Sequence, residues 1–180
     1  AVRASTVSMK NNQEAWSALR TSYTEFTMIS QEARTEIGQT TALLTQLGIS
    51  GSDSAKGLQV ADKMLGQTGV QAAGTLRELS SLAENIGLAP GELIAQYGQI
   101  GPSLAKLGAD GTKAFKDLAR VSKITGLEMQ KLLAITDKFD TFEGAATSAG
   151  KLNAALGGNF VNAMDLMMAT DPVERFEMLR

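Results

Sequence analysis

The stretch EGAATSAGKLNAALGGNF, residues 143–160, comes nearer to a known chemistry than any other in this chain. A glycine followed by lysine, among small residues at the opening of a helix, is how a phosphate-binding loop begins. That loop needs two glycines separated by four residues, then Lys and a Ser or Thr. Backbone N–H groups then wrap the phosphates and the hydroxyl holds magnesium. Here five residues separate Gly144 from Gly150, Lys151 is followed by Leu152, and no β-branched strand leads in. The glycines read as turns and close-contact points between helices, Lys151 as a surface residue, and no cofactor is expected.

Two other constellations bear on chemistry. Lys113, Lys116, Arg120 and Lys123 share one helix face, opposite Phe115, Leu118, Val121 and Ile124. Such a strip can touch a phosphate backbone, but Asp117 interrupts it and the formal charge of the chain is −2. It reads as a solvated face, without stable nucleic-acid binding. The carboxylate pairs Asp137 with Asp140 and Glu174 with Glu177 have residue types suited to acid–base work on a sugar; both read as helix surface, with nothing marking a cleft. Histidine and cysteine are absent. This excludes a Ser–His–Asp triad, a thiolate nucleophile, disulfides and Cys/His metal sites within these residues. The expectation is a non-enzymatic protein with no catalytic or metal-binding residue.

The positioning elements are helices. Alternating β-branched strands are missing, good helix formers dominate, and the three prolines, at 90, 102 and 172, suit first turns of helices. The fold class is all-α, a long N-terminal heptad-patterned helix followed by short helical hairpins. Over residues 1–47 a 3.5-residue period runs Val2, Ser5, Met9, Asn12, Trp16, Leu19, Tyr23, Phe26, Ser30, Ala33, Ile37, Thr40, Leu44, Leu47. That period marks a seam between wrapped helices. A single helix of this length spans on the order of 70 Å and must cover its apolar stripe of Trp16, Leu19, Tyr23, Phe26, Ile37, Leu44 and Leu47. Two covers are open: equivalent copies of the chain, or the chain's own later helices.

Residues 48–180 read as a compact helical-hairpin region with a loose repeat. Gly48, Gly87 and Gly126 are 39 residues apart, each followed by Ile or Leu. Helix-like runs over 75–88 and 114–127 match and lead into second helices over 91–100 and 128–139. Each unit reads as helix, glycine turn, helix, because glycine takes the left-handed conformation that ends helices. A further unit drifts, with Gly157 and Gly158 breaking or turning its helix. Asp140 with Glu143, and Asp171 with Glu174, match reciprocal capping boxes; Asp53 and Asp110 also sit at helix starts. Met164, Met167, Met168 and Met178 suit core filling or a partner's docking face. The stretch 154–168 is mildly apolar, but Asp165 and its asparagines argue against a membrane-inserted resting state.

From about residue 120 onward the sequence resembles the tape measure proteins of tailed bacteriophages. The resemblance is carried by ITGL, AITDKFDTFEGAA, GKLNAALGGNFVNAMDLM and DPVERFEML, and more weakly upstream by AENIGLAPGELIAQYGQIG. It implies a homo-oligomeric structural component lying inside the virion tail, assembled in the host cytoplasm as several parallel copies. It further implies contact with tail tube and baseplate-hub proteins and a part in setting tube length. Some family members carry a peptidoglycan-cleaving domain, so a lytic tail module is one alternative; a cellular helical-repeat scaffold is another. A ruler shaft needs one extended helix, so residues 48–180 are expected to form an end-piece near the hub. The chain lacks a starting Met and stops inside what reads as a fresh helix, as a piece of a longer protein would.

Overall fold

The computed structural model of this chain describes residues 9–24 and 26–180, with side chains from Asn12 onward. Val2 and Ser5 of the seam, and the side chain of Met9, lie outside the described residues. Among those residues every regular element is a helix. The chain divides into two compact units, residues 1–112 and 113–180.

The first unit holds α1 (Met9–Ser22), α2 (Gln31–Gln46), α3 (Gly51–Gln59), α4 (Gly69–Ile86) and α5 (Pro90–Leu104). The heptad pattern predicts one helix over 1–47; the structure has two, α1 and α2, joined by a turn. The predicted boundary at residue 47 falls inside this unit, between α2 and α3, which pack together. The turn sequence YTEFTMIS contains neither glycine nor proline, so contacts outside the local backbone must hold it. The Tyr23 hydroxyl bonds the Asp62 carboxylate, Gln59 donates to Thr24, and Arg34 donates to the Ile29 carbonyl at 3.0 Å. Ser30 caps α2 by accepting from the Ala33 N–H. The Phe26 ring meets Trp16 and Tyr23 edge-on, with centroids 5.5 and 6.0 Å apart. A 3.5-residue period cannot register these contacts, because they reach residues 35 to 39 positions away in sequence.

Helix α2 packs on α4 and α3 on α5, while each helix also packs on its hairpin mate. Like helices of successive hairpins therefore lie side by side, and α1 packs on α2 and α3. The close approach of α1 needs small residues opposite it. A Cβ on Gly38 would lie 2.7 Å from the Trp16 ring, and one on Gly51 2.8 Å from Ala18. A turn of π-helix, Val60–Met64, ends the second helix of the first hairpin where Val60 packs over Gly101. A buried polar chain closes the unit. Thr75 donates to Gln67, Gln67 donates to Thr112, and Thr112 shares a 3.0 Å bond with the Tyr97 hydroxyl. Burial pushes the Tyr97 phenol up to about 12, against the opposing pull of Thr112.

The 39-residue period recurs in backbone and burial. Gly48, Gly87 and Gly126 have φ of 82°, 68° and 72°, the left-handed region that a side chain would strain. The second helices begin at Gly51, Pro90 and Met129, each 39 residues after the last. Equivalent positions are buried in all three hairpins. In the first helices these are Ile37, Leu76 and Phe115, then Thr40, Leu79 and Leu118. In the second helices they are Ser54, Leu93 and Leu132, then Ala61, Ile100 and Phe139. The period is thus present in burial as well as in the glycines.

The second unit holds most of α6 (Gly111–Thr125), then α7 (Met129–Thr136), α8 (Phe142–Leu156), α9 (Ala163–Met168) and α10 (Pro172–Glu177). Besides the buried Phe115, Leu118, Leu132 and Leu133, it holds a cluster of Phe139, Ala145 and Leu166, with Val161, Met167 and Leu179 packed against it. Pro90 and Pro172 open their helices as predicted. Pro102 instead lies inside α5, in the last turn before Leu104, where loss of its N–H removes one bond near the helix end. Asp171 caps α10. The predicted cap Asp140 is one residue early: Thr141 accepts from the Gly144 N–H, and Asp140 bonds Arg175 instead.

Candidate functional site

The loop that opened the sequence reading is built by one asparagine. Helix α8 ends at Gly157, at φ 73°, and the chain turns back along it. Asn153, one turn earlier, clamps the returning strand of loop. Its Nδ2 donates to Asn159 Oδ1 at 3.0 Å and to the Val161 carbonyl at 2.8 Å. Its Oδ1 accepts from the N–H groups of Phe160, at 2.9 Å, and Val161, at 2.7 Å. Gly158 stays small because the Phe160 ring lies against it. The outcome is a cavity of about 570 Å³ between the α8 face carrying Ala146 and Gly150 and the loop through Phe160 and Ala163. Lys151, on the same helix, is exposed.

Helices α8 and α9 and the loop between them present apolar side chains to solvent. Phe160 and Met168 are each 73% exposed, Phe142 66% and Leu156 59%. Met164 is also exposed, while Met167 is half-buried against the small core. The predicted docking methionines thus divide: Met164 and Met168 face outward, and Met167 helps fill the core. Exposed aromatic and methionine side chains in this number on two short helices are the composition of an adaptable contact surface.

Arg175 holds the far side of the unit. It is buried, its Nε and Nη2 donate to the Ala169 carbonyl, and its Nη1 donates to the Thr136 carbonyl and to Asp140 at 2.7 and 2.6 Å. This fork joins the end of α7 to the α9–α10 turn. Sequence reading missed it, because nothing in DPVERF separates a buried arginine from a surface one. Asp140 is thereby committed to an ion pair rather than to Asp137. Glu177 pairs with Arg180 at 3.3 Å.

The seam residues fall in the first unit. Leu19, Tyr23, Phe26, Ile37 and Leu44 are buried there, Trp16 is half-buried, and Leu47 is 58% exposed. The chain's own helices cover the buried part of the stripe. In the basic strip Arg120 is held by Asp117 at 2.6 Å. On its opposite face Phe115 and Leu118 are buried but Ile124 is 77% exposed. Among the described residues no group of His, Cys, Asp or Glu is placed to hold a metal ion, and no helix is long and apolar enough to cross a membrane.

These features define an all-α helical-hairpin protein with an exposed Phe/Met-rich surface on its C-terminal unit. Comparison with protein-family models, curated proteins and solved structures returned no match.

Proposed function

We propose that this chain is a segment of a phage tail tape measure protein, a non-enzymatic structural component lying in several copies inside the tail, near the hub. The observation that carries the reading is the resemblance over residues 120–180, the same residues that form α7 to α10 and the exposed surface of α8 and α9. The folded hairpins suit an end-piece better than a ruler shaft. A shaft gains about 1.5 Å per residue along one helix, whereas each hairpin here returns on itself. With most of the heptad stripe buried in the first unit, contacts between copies or with tube and hub proteins fall to the Phe160, Met164 and Met168 surface. Internal deletion of α4 and α5 in an assembled phage tests the end-piece reading. Tails of unchanged length, or failed assembly at the hub, agree with it; tails shortened in proportion to the residues removed contradict it. Zymography on peptidoglycan separates it from a lytic tail module.

The repeated burial register favours a second reading, a cellular helical-repeat scaffold that binds partners. Genes for tube and baseplate proteins beside this one would exclude that reading.

A further inference from the structure

A second cleft, in the first unit, is lined in part by two seam residues, Trp16 and Phe26, and by none of the residues of α8 and α9. It has a volume of about 350 Å³ and lies between the second half of α1, the α1–α2 turn and the first turns of α2. It is lined by the aromatic residues Trp16 and Phe26, by Arg20 and Arg34, and by Thr27, Gln31 and Thr35. Among the described residues no carboxylate lines it. Arg20 is exposed. Arg34 is half-buried; Nη2 is spent on the Ile29 carbonyl, but its Nε is buried with no hydrogen-bond partner.

The geometry points to an anion-binding site in this cleft. Its ligand carries an oxyanion, carboxylate or phosphate, on a flat apolar body. The oxyanion pairs with the guanidinium groups of Arg20 and Arg34, since a guanidinium matches such oxygens in charge and geometry. The apolar body rests on Trp16 and Phe26, and a volume of this size suits a ring-sized molecule. This site stands independently of the tail-assembly reading.

Trp16 is the sole tryptophan of the chain, so its fluorescence reports the cleft directly. The test titrates the full chain with phenyl phosphate, benzoate, inorganic phosphate and the neutral benzyl alcohol. A saturable change with phenyl phosphate, benzoate or both is expected, weaker with inorganic phosphate and absent with benzyl alcohol. Response to phenyl phosphate alone assigns the oxyanion as phosphate; response to both aryl anions assigns the shared oxyanion chemistry. Arg20→Gln, at an exposed position, should weaken binding by about tenfold or more, the loss of one charge-assisted contact, with an unchanged circular dichroism spectrum. Arg34→Gln should abolish it. If Arg34→Gln fails to fold, Arg20→Gln alone decides. No saturable response to any anion, equal response to benzyl alcohol, or equal affinity in Arg20→Gln would overturn the site.

Discussion

Replacing Arg175 by methionine should cost the second unit most of its stability. Methionine keeps an unbranched apolar stem and removes every donor. Ala169 and Thr136 then lose their buried donors, at about 1–3 kcal/mol for each orphaned carbonyl. Asp140 remains partly exposed, so its lost partner adds less than a fully buried pair would. The two carbonyls together give about 2–6 kcal/mol. That is a large part of a stability of about 5–15 kcal/mol, the usual range for a whole domain. Amide hydrogen exchange resolved by residue is the assay. Protection should collapse in α7, α8 and α10 together, because the fork joins α7 to the α9–α10 turn. Arg175→Lys should restore only part of it, since one ammonium cannot reach three acceptors as the planar fork does. Wild-type protection in Arg175→Met, or a loss confined to α10, would refute the keystone role.

Leu44→Ala should destabilise the first unit by about 3 kcal/mol, while Leu47→Ala should cost about 0.5 kcal/mol or less by urea denaturation; a coiled-coil seam would penalise the two alike. Tyr97 gives a pH signature. An unfolded tyrosine ionises near ~10, whereas the buried phenol holds its proton to about 12. The contribution is therefore whole below the unfolded value and is lost as pH rises through the folded one, on the order of 2–3 kcal/mol. Tyr97→Phe should flatten that segment of the stability curve, and an unchanged slope would show that the phenol is not buried. Asn153→Ala should strip exchange protection from the Phe160 and Val161 amides, a local loss of about 1–2 kcal/mol, while α7 stays protected.

Much of this fold was legible as one-dimensional spacing. The glycine period marked three left-handed turns, and Asp171 before Pro172 marked a helix start, because both signals act within a few residues. The features that resisted reading act at long range. The break between α1 and α2 has no local breaker; it is held by Tyr23 on Asp62 and Gln59 on Thr24. Thr40 and Ser54 occupy buried positions where the other hairpins have leucine, so polarity alone would place them outside. Asn153 and Arg175 look like surface residues until the partners that surround them are known, and the Trp16–Arg34 cleft exists only once the turn has closed.

The account rests on side chains that press helix against helix within a single chain, and the distance between the ends of α1 and α2 tests that most directly. The chain has no native cysteine, so spin labels at Asn12→Cys and Gln46→Cys report one distance by pulsed electron resonance. The folded hairpin predicts a separation on the order of 20 Å, because packed helix axes lie about 8–10 Å apart. A separation of about 51 Å, the span of one unbroken helix between those residues, would contradict it.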